Sequence, residues 1–375
     1  MTIKDLLKTI LLLVISVAAV AAAAYFLTAR MRDDMGTTQR FVEQMGTGIN
    51  VGNSLDVYGY EGTVSANGKL YEEGWGNPRI TPKLFETIYS AGFRMVRIPV
   101  SWGDHVDSGY YIDPEWMKRV HEVTDMALNS GFYVIIDSHH EPWRSLVERN
   151  DSLIRYRNIV LWRQIAEEFK DYDERLLFEG MNEPRLIDSE QEWTDGDEKL
   201  RTFVNELNGD FVDVVRSTGG ENEHRYLLVT TYAGRSTEET VYALRNFLDG
   251  RKKDRRLIAS LHMYMPYPFC QSENGTADWS KENPGDLEDI EKGISAMMLL
   301  RDNGYSVILS EYAARDKNND EARISWTQYY SARCNYNGIG RIWWDDGRNY
   351  ALLDRDSMKW KNPELTAAVT YNGEK

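Results

Sequence analysis

Eight short β-rich runs constrain this chain more than any other feature: Gly48–Asn53, Met95–Val100, Tyr133–Ser138, Leu176–Met181, Tyr226–Thr231, Leu257–His262, Ser306–Ser310 and Gly340–Trp344. Most of the gaps between them hold a helical pattern, as at Thr81–Ser90, Pro114–Ser130, Ser152–Phe169, Leu200–Ser217, Leu287–Asn303 and Glu321–Tyr336. Strands alternating with helices at intervals of roughly 30 to 50 residues read as repeated βα units. Eight units, in a chain somewhat above the roughly 250 residues typical of the class, predict a (β/α)8 barrel with long loops. The competing architecture is a doubly wound open sheet, which calls for a Gly-rich phosphate turn after its first strand. Gly46-Thr-Gly48-Ile-Asn-Val has no third glycine in place and no clear helix behind it, so the barrel is preferred.

The 375 residues carry 44 Lys and Arg against 59 Asp and Glu, a net charge of −15 that repels phosphate backbones and argues against a nucleic-acid partner. Hydrophobic residues at 42% and charged residues at 27% are ordinary globular usage, which excludes disordered and fibrous classes. Eleven Trp and 22 Tyr are in excess, which suits large cores or flat apolar ligands such as the C–H faces of sugar rings. Cys270 and Cys334 allow one bridge or two inert thiols. The six His form no His-Glu-x-x-His pair and no Cys/His cluster, so neither a metal nor another cofactor is expected. Asp316-x-Asn318-x-Asp320 begins like a calcium loop, but Glu321 replaces the required Gly and Thr327 the final Glu. It reads as a solvated charge run.

Thr9–Ala29 holds no charge, and Ile10–Leu27 is close to the roughly 20 apolar residues a membrane-spanning helix needs. Two readings compete for residues 1–29: a retained signal anchor, or a signal peptide cut after the small residues of Ala18–Ala24. The long apolar run and the poor small-x-small site before Arg30 favour the anchor. Either way the rest is exported, giving an extracellular protein that is secreted or held at the membrane by one N-terminal hydrophobic helix. Arg30–Arg40 reads as a linker, and residues 41–375 as one domain undivided by any Pro/Gly/Ser tract.

In such barrels the functional groups lie at the C-terminal ends of the strands. Strand 2 carries Arg97, strand 3 ends in Asp137-Ser-His139-His140-Glu141, and strand 4 in Asn182-Glu183-Pro184. Strand 6 ends in His262-Met-Tyr264, strand 7 in Glu311-Tyr312 and strand 8 in Trp343-Trp344-Asp345-Asp346. Each has a bland explanation singly, but six strand ends agree on one polar mouth. Glu183 and Glu311 are predicted to face each other there, the arrangement glycoside hydrolysis needs: one carboxyl gives a proton to the leaving oxygen and one carboxylate attacks the anomeric carbon. Arg97 and Tyr264 are expected to hold Glu311 ionised. Glu183 lacks a cation in its own motif, so burial and the second carboxylate are expected to raise its pKa.

These motifs resemble glycoside hydrolase family 5, the cellulase family: Val96-Arg97-Ile98-Pro99, His139-His140, Asn182-Glu183-Pro184, His262-x-Tyr264, Ser310-Glu311-Tyr312 and Trp344. Gly48-Ile-Asn-Val-Gly-Asn53-Ser-Leu-Asp56, Gly74-Trp75-Gly-Asn-Pro78, Trp343-Trp-Asp-Asp-Gly347 and Leu352-Leu-Asp-Arg355 are most similar to its subfamily 4. The match runs from about Met45 to Arg355. The resemblance implies that Glu183 is the acid/base and Glu311 the nucleophile of a retaining double displacement. It further implies that Asn182 binds the 2-hydroxyl, that Arg97, His139, His262 and Tyr264 position the carboxylates, and that Trp344 is the sugar's floor. Asn53, His140, Trp143, Trp75 and Asp346 are candidate substrate contacts, Asp346 standing where the family usually has Asn. Trp102, Trp193, Trp279 and Tyr267 also fall in loops after strands, where a polymer would stack. The expected activity is endo-cleavage of a β-1,4-glucan such as cellulose, mixed-linkage glucan or xyloglucan. A β-mannanase or xylanase on the same scaffold, a non-catalytic membrane-tethered glycan binder and a metal-dependent barrel hydrolase are the rivals.

Overall fold

A computed structural model describes residues 36–59, 72–141 and 151–371. Eight parallel strands close a barrel in chain order: β1 (Thr47–Asn50), β2 (Met95–Ile98), β3 (Tyr133–Asp137), β4 (Leu176–Glu179), β5 (Leu227–Arg235), β6 (Leu257–His262), β7 (Ser306–Tyr312) and β8 (Gly340–Trp343), with β8 pairing back on β1. Each of the eight predicted runs supplies one strand. The six predicted helices form within a few residues of their expected bounds, Pro114–Asn129 for example starting on a proline behind an Asp113 cap. A helix over Glu238–Gly250 and one over Pro363–Thr370 complete the outer layer.

Side chains on the strands alternate between two environments. Val96, Ile98, Val134, Ile136, Leu176, Phe178, Leu227 and Val229 belong to the core between sheet and helices. Met95, Ile135, Leu177, Leu228, Ile258, Ile308 and Ile342 form a second apolar cluster. Two residues further along the same strands stand Arg97, Asp137, Glu179, Thr230, Ser260 and Ser310, all buried. The barrel interior is therefore apolar in one layer and polar in the next, nearer the C-terminal ends.

A helix over residues 36–45 adds Phe41, Val42 and Met45 to the interior apolar cluster, with Phe41 stacked on Tyr226 at 3.8 Å between centroids. Thr38 donates to the Arg255 carbonyl at 2.6 Å. The expected linker over Arg30–Arg40 thus gives way at residue 36, because this helix closes the barrel interior with apolar side chains. The predicted hydrophobic segment, Thr9–Ala29, lies outside the described residues. Among the described residues no helix is long and apolar enough to cross a membrane.

Strand β5 extends past the expected Thr231, and its register against β6 breaks between Thr230 and Arg235, where Ala233 and Gly234 take positive φ of 52° and 65°. A Cβ at Gly234 would stand 3.0 Å from His262 Nδ1 and 3.4 Å from Glu183 Cγ, so the break lets the backbone approach the polar mouth. Cys270 and Cys334 are both buried and unbridged, which settles the earlier alternative in favour of free thiols. The Asp316 and Asp320 carboxylates lie 3.6 and 3.3 Å from the Arg323 guanidinium.

Candidate active site

The polar layer centres on Arg97, which is fully buried. Its Nε donates to Glu179 at 2.5 Å, Nη1 to Asn50 at 3.0 Å and Glu311 at 2.8 Å, and Nη2 to Asn182 at 2.9 Å. Nη2 also lies 2.7 Å from Asp137 Oδ2. Burial works against the guanidinium charge, but Glu179, Asp137 and Glu311 outweigh it and hold the arginine charged. Only a planar five-donor fork reaches five acceptors spread over four strands, β1, β3, β4 and β7, and the loop after β4. Ser260 donates to the other Glu179 oxygen at 2.5 Å and lies 2.6 Å from Ser310 Oγ, so the layer is internally satisfied.

Above it, Glu183, His262 and Glu311 meet. His262 Nδ1 lies 2.8 Å from Glu183 Oε1 and 3.6 Å from Glu311 Oε2, and one oxygen of each carboxylate and the imidazole nitrogen all lie within 4.8 Å of one another. Tyr264 donates its hydroxyl to Glu311 Oε2 at 2.8 Å. Burial and the Glu311 charge raise the Tyr264 pKa well above the usual phenol value, so it remains a donor.

The expected ordering of the two carboxyls is reversed. Burial pushes Glu183 up, but the His262 hydrogen bond and charge, with Arg185 and His139 behind, pull it down to about 2. Burial raises Glu311 above its ordinary value despite His262 and Arg97. Burial lowers His262, but Glu311 and Glu183 more than offset it, so its imidazolium is favoured. The proton of this trio therefore rests on His262, next to Glu183. The expectation for Glu183 overlooked His262 as its partner, a contact made 79 residues away in sequence.

His139 is buried, and burial and Arg97 hold it well below the usual imidazole value, hence neutral. Its Nδ1 lies 2.7 Å from Asp137 Oδ2, and that carboxylate fixes the Nδ1–H tautomer. Its ring is parallel to half-buried Trp344 at 5.7 Å. Gly52 makes room for that indole: a Cβ there would fall 2.7 Å from Trp344 Cη2. Arg355 joins the Gly52 carbonyl to Asp345, and Asn77 donates to the Asn53 and Asp346 carbonyls, so the loops bearing the outlying motifs brace one another beside Trp344. Asn53 is half-buried with a φ of 54°.

Trp75, His140 and exposed Tyr58 form an aromatic wall, with His140 4.6 Å from Tyr58 and 5.9 Å from Trp75 between centroids. Asp346, a candidate sugar contact, has a second role in its own loop. Its carboxylate accepts from the backbone N–H of Arg348, Asn349 and Tyr350 and holds its own loop. Trp102 and Trp279 are likewise structural: both are buried, their indole N–H groups bonded to the Asp137 and Asp286 carbonyls. Trp143 lies outside the described residues. Trp193 and Tyr267 are more than half exposed, and both line a cavity of about 1270 Å³ that reaches Glu183, His262 and Tyr264. Asn50, Glu179 and Ser260 went unread in the sequence, although each is a polar residue at an inward strand position, which was the available signal.

A closed parallel barrel with two carboxylates this close at its C-terminal mouth defines the class of barrel glycosidases. Residues 50–349 match the family model for cellulase, glycosyl hydrolase family 5. Endoglucanase A of Ruminococcus albus is 39% identical over 351 residues, covering 90% of this chain and 93% of that protein. Among solved structures, a GH5-4 broad specificity endoglucanase from Clostridium acetobutylicum superposes with a TM-score of 0.81 at 33% identity, covering 89% of this chain and 99% of the other. XEG5A, a GH5 xyloglucan-specific endo-β-1,4-glucanase from a metagenomic library in complex with cellotriose, gives 0.81 at 33% identity, over 90% and 99%. The chain belongs to glycoside hydrolase family 5, the cellulase family, and is a glycoside hydrolase.

Proposed function

We propose that this enzyme is a retaining endo-β-1,4-glucanase in which Glu311 is the nucleophile and Glu183 the acid/base. The observation that carries the reading is the separation of the two carboxylates, whose oxygens approach within 4.8 Å. Retaining enzymes hold the two groups about 5–5.5 Å apart, whereas inverting ones need roughly 6.5–9.5 Å to admit a water. In the first step Glu311 attacks the anomeric carbon, the glycosidic C–O bond breaks, and Glu183 gives its proton to the departing oxygen. The sugar's entry excludes water and disfavours an ionised Glu183, so the proton on His262 Nδ1 crosses 2.8 Å to the carboxylate. In the second step Glu183 takes a proton from water, whose oxygen displaces Glu311 from the anomeric carbon. Arg97 and Tyr264 hold Glu311 in line from its two oxygens. Asn182, its amide oxygen fixed by Arg97, is assigned the 2-hydroxyl, and Trp344 the floor beneath the sugar.

The choice of β-glucan over β-mannan or xylan is supported by relatives named as endoglucanases, a xyloglucan-specific enzyme and a lichenase. Reducing-end release on cellulose, mixed-linkage glucan, xyloglucan, β-mannan and xylan tests it: β-glucan is cut, and cleavage confined to mannan or xylan overturns the assignment. Glu311→Ala should lose hydrolysis and keep glycan binding, and retained hydrolysis would remove the nucleophile assignment. We further propose that the segment Thr9–Ala29 exports the enzyme and tethers it to the membrane, which fractionation of expressing cells into membrane and medium would check.

A further inference from the structure

Glu183 is faced by His262 and Tyr264 from β6 and its following loop, Glu311 from β7, His139 and His140 from the loop after β3, and one further cation, Arg185. Arg185 stands two residues on in the same loop. Its Nη1 donates to the Glu183 carbonyl at 3.1 Å and lies 3.7 Å from Oε2, while its Nε donates to Glu192 at 3.1 Å. Its guanidinium carbon sits 4.1 Å from the centre of the Trp193 ring. Trp193 is 53% exposed in the cavity that ends at Glu183. The loop around this plate is fixed: Arg235 donates to the Trp193 carbonyl and to Asp195, and the Tyr232 hydroxyl accepts from Leu186 N and donates to the Gln191 carbonyl.

An indole that carries a cation against it and opens to a sugar-sized cavity is a device in two parts. Covering the plate with a sugar removes water from the cation–π contact and strengthens it. We propose that Arg185 is a positioning residue which couples a leaving-side sugar on Trp193 to the state of Glu183. With the sugar present the guanidinium is held on the indole and Glu192, leaving Oε2 the longer contact, and Glu183 keeps its proton for the first step. Once the leaving sugar departs, water returns to the cation–π contact and weakens it, so the guanidinium is free to shorten its 3.7 Å contact with Oε2 and favour the carboxylate that must take a proton from water in the second step. The inference rests on the acid/base reading of Glu183.

The test compares Arg185→Gln, Arg185→Lys and Trp193→Ala with the wild type, on cellotetraose and on an aryl cellobioside with an activated leaving group. Losing the cation should move the alkaline limb of kcat/KM upward by about one unit. It should also lower kcat on the aryl substrate, where the second step limits, by about tenfold. Arg185→Lys should restore the limb. Trp193→Ala, which frees the guanidinium to close on Oε2, should move the limb downward, opposite to Arg185→Gln, while raising KM for cellotetraose. A limb unmoved in Arg185→Gln with an unchanged Tm overturns the proposal, as does a Trp193→Ala variant that raises KM alone. Glu183→Gln separates the two levels: intact cellotetraose hydrolysis there refutes the acid/base reading itself. Lost hydrolysis beside an unmoved Arg185→Gln limb refutes only the coupling.

Discussion

Replacing Arg97 by methionine keeps most of the side-chain volume and removes the charge at the centre of the polar layer. Three of its five partners are carboxylates, those of Asp137, Glu179 and Glu311, and all three residues are buried. Leaving buried charge unanswered costs roughly 3–5 kcal/mol. In a domain of this size one kcal/mol moves Tm by about 2 °C, so the variant should melt about 6–10 °C below wild type at pH 7.5. The deficit depends on pH with a definite sign. Burial holds Asp137 and Glu311 above their ordinary values even with Arg97 in place, and removing the cation raises them further. A carboxyl with a higher pKa folded than unfolded binds its proton preferentially in the folded protein. Its stability contribution is intact below the unfolded value and is lost as pH rises through the folded one, by up to about 1.4 kcal/mol per unit for each group. Paired melting curves of variant and wild type should therefore show a small gap at pH 4.5 that widens to pH 7.5. A gap that is constant, or wider in acid, would refute the reasoning that Arg97 compensates buried carboxylates.

The pH dependence of kcat/KM should be bell-shaped: its acid limb, the protonation of Glu311, lies above the ordinary carboxyl value of 4.5, and its alkaline limb, loss of the proton on His262, above 6.5. His262→Gln should abolish the alkaline limb set by the imidazolium and move the acid limb upward, because His262 is the main influence lowering Glu311. Gly52→Ala places a Cβ 2.7 Å from Trp344, so KM for cello-oligosaccharides should rise severalfold with the indole pushed from its seat, which tryptophan fluorescence on titration would register. Phe41→Ala removes a buried ring from the barrel interior and should cost about 3–5 kcal/mol by denaturant unfolding. A chain begun at residue 36 should keep the wild-type Tm, whereas one begun at residue 46 should not.

The barrel was legible because each strand is a short β-rich run bounded by a helical pattern, and because polar residues recur where those runs stop. Glu183, Glu311, His139, Asn182, His262 and Tyr264 all stand at or just past such stops, Arg97 stands within β2, and the fold brings them together. What local reading missed depends on contacts between distant segments. Residues 36–40 look like a polar stalk, and only the apolar barrel interior explains why their helix docks. Asp346 reads as a sugar contact, and only the folded loop shows that its carboxylate also accepts from three N–H groups there. Trp102 and Trp279 share the loop positions of Trp193 but not its exposure, a distinction made by neighbours rather than by sequence. The low pKa of Glu183 is also nonlocal, set by an imidazole from β6.

The central claim is that Glu311 forms a bond to the anomeric carbon while Glu183 serves first as acid and then as base. Proton NMR of cellotetraose hydrolysis, followed from the first turnovers before mutarotation, reports it directly. The β-anomer should appear first and the α-anomer only later by mutarotation, whereas initial release of the α-anomer would contradict the double displacement and the roles assigned to both glutamates.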